Sequence, residues 1–302
     1  MIWRAEAVVD ERLARTLVAQ LRGLDGLPVS LLSTGWDRTV YRVGDDWVFG
    51  FPRRAVVVPG LEREIEWLPR LAPLLPRPIS VPVHVGRPSG LFGWPFVGSA
   101  FLPGVEAPSA GLDDGARRAV GVELASFLRA LHAPELAEAL DASRLPPDVN
   151  ARADMRRRVP YTRERFAELR SLELWRAPAT ADRVLAAAER LPDSPEVETI
   201  AHGDLHVRHL LVRDGRLSGI IDWVDVCRGD PAIDLMLYWS FVPPAGRADF
   251  LSAYGGASEE TLLRARVVAL FIGAVLAVYA HAEGLEALRR ETLAGLDRAL
   301  LD

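Results

Sequence analysis

The sequence contains no lysine, so all 36 of its basic residues are arginine. Any mechanism that demands a lysine is therefore excluded. A single cysteine, Cys227, rules out an internal disulfide and fits a reducing compartment. The N-terminal stretch MIWRAEAVVDER lacks the apolar core of a signal peptide. The longest apolar run, Val267 to Ala280, is closed by Arg266 and His281. It is short for a membrane span and reads as a buried helix. The net charge is −5 and the pI about 5.8, so the basic footprint of a nucleic-acid binder is missing. These absences predict a cytoplasmic protein with no nucleic-acid and no membrane partner.

What is present suits a globular enzyme. The 302 residues are 49% hydrophobic and 25% charged, enough for two lobes with a core each. Asp10 to Leu24 reads as an amphipathic helix capped by Asp10. Short apolar segments follow at Val29–Ser33, Thr39–Val43 and Trp47–Phe51, with Gly44-Asp45-Asp46 as a turn. Gly60 to Leu75 is helical in period, and strands are expected at Val81–Val85 and Pro95–Leu102. Pro103-Gly104 marks a hinge. Beyond it, helices are expected at Asp113–Ala133, Asn150–Leu169 and Thr180–Leu191. Leu210–Val212 and Leu217–Ile221 form a hairpin around Asp214-Gly215. The expected class is α+β, with a small β-rich lobe at residues 1–103 and a larger, mostly helical lobe at 104–302.

The informative stretch is His202-Gly203-Asp204-Leu205-His206-Val207-Arg208-His209, followed by the hairpin and Ile221-Asp222-Trp223. Asp204 precedes the hairpin and Asp222 ends it, so folding the chain back can bring both carboxylates to one end. Two such carboxylates suit phosphoryl transfer. One orients the attacking hydroxyl and accepts its proton, and the other is a hard oxygen ligand for Mg²⁺. His202 reads as a brace of the loop, Asp230 as a helix cap before Pro231, and Asp234 as a tie between that helix and the loop.

HGDLHVRHLLV, then IIDWVDVCRGDPAIDL, resembles the aminoglycoside phosphotransferase family, whose pattern is close to HGDL-x-x-x-N followed by IDW and GDPA-x-DL. Ser33 to Val43 resembles that family's nucleotide-loop hairpin, Phe51 to Arg54 the end of its third strand, Glu62 to Leu68 its first-lobe helix, and Leu102-Pro103-Gly104 its hinge. The resemblance implies a two-lobed, protein-kinase-like fold. It also implies transfer of the γ-phosphoryl group of ATP or GTP, with Mg²⁺, to a hydroxyl of a small molecule such as an aminoglycoside or macrolide antibiotic. By the same resemblance Asp204 is the catalytic base and Asp222 a metal ligand. Gly35, Arg38, Arg53, Glu64, Phe101 and Leu102 fall on the nucleotide side. His206 and Asp225 fall on the acceptor side.

Two positions depart from the pattern. His209 stands where the family has asparagine, a substitution shared with macrolide phosphotransferase-like relatives. An imidazole ligand there predicts that Mn²⁺ serves at least as well as Mg²⁺. Gly50 stands where a phosphate-binding lysine or arginine is expected. Arg38, Arg42, Arg53 or Arg54 could substitute, with Glu64 as the acidic partner, yet strand alternation turns Phe49 and Phe51 away from the face of Gly50. Two other readings stay open. One is a catalytically weak, pseudokinase-like nucleotide-binding protein. The other is a metal-dependent hydrolase using His202, Asp204, His206, His209 and Asp222. Against the hydrolase, His206 and His209 are three apart in a segment expected to run as a strand, which sends them to opposite faces.

Overall fold

The structure, a computed structural model, describes residues 5–194 and 199–302. The chain folds into two compact units. The first runs to Leu74, continues through Pro78–Leu102, and takes back Asp222–Val224. The second holds Leu75–Arg77, Pro103–Ile221 and Asp225–Asp302. The three residues from Asp222 thus pack with the N-terminal part of the chain, although sequence order sets them far beyond residue 103.

The first unit is an antiparallel sheet with two helices. Helix α1 (Glu11–Val18) starts at Asp10, whose side chain accepts from the Leu13 N–H at 2.7 Å. It stops earlier than its amphipathic pattern predicts, because hydrogen-bonded turns replace the helix from Leu21 N–H to Val18 onward and Gly23 adopts a positive φ of 83°. Strands β1 (Val29–Thr34), β2 (Arg38–Val43) and β3 (Trp47–Pro52) follow, then α2 (Val58–Leu71), β4 (Pro82–Gly86) and β5 (Phe96–Ala100). The sheet order is β1-β2-β3-β5-β4. Strand β2 alternates strictly: Thr39, Tyr41 and Val43 are buried, while Arg38, Val40 and Arg42 occupy the other face. Phe49 and Phe51 of β3 are fully buried in a cluster with Tyr41, Val43, Phe92 and Phe96. Burial of each such aromatic is worth about 1.5–3 kcal/mol, which holds β3 in one register.

The second unit is mostly helical. It comprises β6 (Val105–Glu106), α3 (Asp114–Leu131), α4 (Pro134–Leu140), α5 (Met155–Ser171) and α6 (Ala179–Ala188). Strands β7 (Ile200–Ala201), β8 (Leu210–Arg213), β9 (Arg216–Ile220) and β10 (Cys227–Arg228) come next. Helices α7 (Met236–Ser240), α8 (Arg247–Tyr254), α9 (Glu259–Ala282) and α10 (Glu286–Ala299) complete it. Asp113 caps α3 through the Ala116 N–H. Helix α5 begins five residues later than expected, because Asp148 accepts from the N–H groups of Asn150 and Arg152 and winds that stretch into a turn capped onward by Asp154. In the β8–β9 hairpin, Asp214 and Gly215 take φ of 51° and 70°, the two positive values that a tight type I′ turn needs. Helix α9 is long and apolar enough, by length and composition, to cross a membrane. Yet 56% of its most apolar window is buried within the protein, where it packs on α5, α7 and α10 as a core helix.

Candidate active site

The loop from His202 to His209 is clamped from behind. Asp234, fully buried, accepts from the N–H of His202 at 2.7 Å and of Gly203 at 3.1 Å. Its Oδ2 also lies 3.1 Å from Nε2 of His132. Burial opposes the Asp234 charge, but the bond to His132 and the charges and N–H groups around it prevail and hold the carboxyl below its ordinary value. His202 is a brace, as expected: its Nε2 donates to the Ile221 carbonyl at 3.0 Å, and its Nδ1 accepts from the Asp204 N–H at 3.3 Å. Gly203 sits at φ 88°, and a Cβ there would lie 2.2 Å from the carbonyl oxygen of Asp225, so only glycine lets the loop pass.

This clamp presents Asp204, whose side chain is 29% exposed. Arg152 Nη2 lies 3.9 Å from Asp204 Oδ1 and donates to Asp225 Oδ2 at 2.7 Å, while Nη1 donates to Asp148 at 2.9 Å. Burial works against the Arg152 charge. Asp225, Asp204 and Asp148 together outweigh it and keep the guanidinium above its ordinary range. Asp225, placed by sequence on the acceptor side, is thus bound by Arg152 while remaining 27% exposed. Arg152 does not stand out in the sequence. Only its i,i+4 relation to Asp148 is visible there, and Asp225 lies 73 positions away.

His206 and His209 meet, against the expectation that they diverge. Val207–His209 forms one 3₁₀ turn, closed by the His209 N–H on the His206 carbonyl at 2.9 Å. Three residues per turn eclipse positions i and i+3, and the two ring centroids come to 3.8 Å. His206 is buried, and its Nδ1 has no hydrogen-bond partner. Burial, with His209, Arg208 and His202 close by, holds it far below the ordinary histidine value, so it is neutral. His209 Nδ1 lies 2.8 Å from the Asp204 carbonyl oxygen and donates to it, which leaves Nε2 as an acceptor or ligand. Ligand atoms of Asp204, His206 and His209 all fall within 4.8 Å of one another. The Ile221 N–H donates to the His209 carbonyl at 3.1 Å, tying the residue before Asp222 to the same turn.

In the first unit, Asp222 adopts φ 65°, a left-handed conformation that aspartate enters more readily than most residues. Glu64 on α2 is buried and accepts from Arg38 Nη2 at 2.5 Å and from the Trp223 N–H. Burial raises the Glu64 carboxyl against the pull of Arg38. Burial also acts against Arg38, but Glu64 and Asp222 keep its guanidinium above the ordinary range. Gly35 opens the β1–β2 turn, its N–H on the Arg38 carbonyl at 2.9 Å and its carbonyl accepting from Arg53. Arg54 pairs with Asp37 in the same turn. Phe101 donates its N–H to the Asp46 carbonyl at 2.7 Å, and its ring lies under the Arg42 guanidinium at 3.4 Å. Leu102 follows as the last residue of that segment and is half-buried.

The donor set can be tested against a divalent cation. Within the second unit, His209 offers a ring nitrogen of fixed tautomer, a donor that suits Mn²⁺ better than Mg²⁺, beside the hard carboxylate oxygen of Asp204.

Comparison with known proteins bears on the fold and the family. The chain shares its fold with the GDP complex of wild-type aminoglycoside 2'-phosphotransferase-IIIa, at 21% identity and TM-score 0.68, over 97% of this chain and 99% of that one. It is 28% identical to the apoenzyme of macrolide 2'-phosphotransferase MphH from Brachybacterium faecium, with TM-score 0.60, over 95% and 98% of the two chains. The fold is kinase-like. A 61-residue stretch is 36% identical to YcbJ of Bacillus subtilis (strain 168), a match that spans 20% of each protein and so only a fifth of that relative's length. The sequence profile described as "Phosphotransferase enzyme family" matches residues 28–268, which is most of the chain, and this protein accordingly belongs to the phosphotransferase enzyme family.

Proposed function

We propose that the protein transfers the γ-phosphoryl group of ATP or GTP to a hydroxyl of a small molecule, an aminoglycoside or macrolide antibiotic or a related metabolite. The observation that carries this reading is Asp204, held on a braced loop with its side chain part-exposed and the Arg152 charge 3.9 Å away. The names of the similar proteins support the substrate class: one is a GDP complex of an aminoglycoside phosphotransferase, another a macrolide phosphotransferase. An antibiotic acceptor would make the protein a resistance enzyme. Residues 1–103 are read as the nucleotide-binding part and 104–302 as the catalytic and acceptor-binding part. Asp222 is the exception, because it packs with the former. A cytoplasmic setting fits the one cysteine, Cys227, a buried free thiol.

In this reading Asp204 orients the acceptor hydroxyl and takes its proton as the oxygen attacks phosphorus in line. The bond to the bridging oxygen breaks, and the nucleoside diphosphate leaves. Arg152 sets a positive charge beside Asp204, and the Asp234 clamp keeps the loop from moving as charge develops. Asp222 and His209 would hold the divalent cation, which supplies charge neutralisation for the phosphates. Gly35, Arg53, Phe101 and Leu102 are read as the nucleotide side. His206 and Asp225 are read as the acceptor side.

The test is a coupled nucleoside-diphosphate release assay across aminoglycosides and macrolides, run with wild type and Asp204→Asn. Acceptor-dependent turnover that drops about 10²- to 10⁴-fold in the variant is expected. Turnover that survives Asp204→Asn would remove Asp204 from the chemistry.

A further inference from the structure

Gly50 leaves a gap in the chemistry that phosphoryl transfer requires. Kinase-like enzymes set a cation on the third strand, facing a helix carboxylate, to grip the nucleotide phosphates. Here β3 offers no side chain at residue 50, and the sequence has no lysine to place anywhere. The carboxylate has nevertheless stayed: Glu64 is buried on α2.

The register of the sheet supplies the cation from next door. Val40 on β2 pairs with Gly50, and Arg38 lies two residues away on the same face as Val40. A long side chain reaches the diagonal neighbour across two strands. Arg38 does so and lies over Gly50: a Cβ at residue 50 would meet Arg38 Cδ at 3.3 Å and Nη1 at 3.8 Å. Nη2 ends on Glu64 at 2.5 Å, and Nε, also buried, has no hydrogen-bond partner. The other arginines of this region are occupied in bracing. Arg42 donates to the Gly44 carbonyl at 3.1 Å and covers Phe101, Arg53 donates to the Gly35 carbonyl, and Arg54 pairs with Asp37.

We propose that Arg38 is the phosphate-binding cation of this enzyme, moved by one strand from its expected place, and that Gly50 is its complement rather than a lost site. A side chain at residue 50 and the Arg38 side chain compete for one volume, so the glycine is what lets the arginine cross. The guanidinium keeps Glu64 with one edge and offers the remaining N–H groups to phosphate oxygens, as its planar fork permits. This inference rests on the phosphotransferase reading given above.

The experiment compares wild type, Arg38→Ala, Gly50→Arg and the double variant Arg38→Ala/Gly50→Arg. Calorimetry with Mg²⁺ measures the affinity for whichever of ATP and GTP the wild type binds, and for the matching nucleoside. Thermal unfolding is recorded for each protein. Arg38→Ala should weaken the triphosphate by about tenfold or more, the scale of a lost charged hydrogen bond, and leave the nucleoside unaffected. Gly50→Arg alone should also weaken it by crowding Arg38. The double variant, with the cation back on β3, should return to near the wild-type value. Triphosphate binding unchanged in Arg38→Ala would overturn the inference, as would equal weakening of triphosphate and nucleoside, the mark of a merely structural role. Should Arg38→Ala unfold, the double variant decides: folded with near wild-type affinity supports the transfer, folded without it overturns it. A wild-type protein that binds neither triphosphate sinks the functional reading and this inference together, whereas binding indifferent to Arg38 sinks this inference alone.

Discussion

His209 directs Nδ1 at the carbonyl oxygen of Asp204, 2.8 Å away, so the proton sits on that nitrogen and Nε2 carries the ring's lone pair. A ring fixed this way is a nitrogen ligand in waiting. Steady-state kcat/KM should therefore be at least as high with Mn²⁺ as with Mg²⁺. His209→Asn should turn the preference toward Mg²⁺ by supplying an oxygen. A strict Mg²⁺ requirement in the wild type would show that the imidazole does not ligate.

Arg152 joins three carboxylates, and removing it strands the nearly buried Asp148 and takes the charge away from the more exposed Asp225 and Asp204. Arg152→Ala should cost about 3–5 kcal/mol in urea unfolding, the range for breaking a buried ion pair. Arg152→Lys keeps the charge but loses the fork, and should recover much of the stability while kcat stays depressed. Full activity in Arg152→Lys would mean that a positive charge beside Asp204 is enough, without the fork that spans Asp148 and Asp225.

Asp234 predicts a pH dependence of stability. Its carboxyl is held below the ordinary value in the folded protein, so its contribution is fully present above about pH 4, the unfolded range for aspartate. That contribution is lost as pH falls through the lower folded value, because the unfolded chain takes up the proton first. Unfolding free energy followed from pH 7 downward should drop more steeply below about pH 4 in wild type than in Asp234→Asn. Parallel curves would mean that the clamp is held by geometry and not by charge.

Gly203 tests the loop's tightness. Gly203→Ala meets both a positive φ and the Asp225 carbonyl at 2.2 Å. A cost of about 1–3 kcal/mol from backbone strain alone is expected, with a larger proportional loss of kcat than of acceptor affinity. An alanine variant as stable and active as wild type would show that the loop can relax.

Local chemistry makes much of this legible. Asp10 and Asp113 announce their helices by capping them, and Asp214-Gly215 announces its hairpin by the φ values it tolerates. Asp204 and Asp222 stand out through the motifs that carry them, His202-Gly203-Asp204 and Ile221-Asp222-Trp223. Whatever depends on register or on a single tight turn stays hidden. His206 and His209 converge only because three residues coil into a 3₁₀ turn before β8 starts, a change of period too short for a pattern to reveal. Arg38 reaches over Gly50 only once Val40 is paired with it, a fact that lives in the alignment of two strands. Arg152 finds Asp225 across 73 residues.

The return of Asp222–Val224 to the first unit has a consequence for how this protein could be cut, shuffled or inherited. Gly60 is pressed so closely by Val224 that a Cβ would fall 2.4 Å from its side chain, Arg63 donates to the Val224 carbonyl at 2.9 Å, and Glu64 accepts from the Trp223 N–H. A gene fragment ending near residue 103 would encode a sheet and helix with an uncovered flank. Three residues supplied from the far half act as its closing stitch. The two halves are therefore not interchangeable cassettes, and recombination between relatives must carry this tripeptide together with the helix it covers.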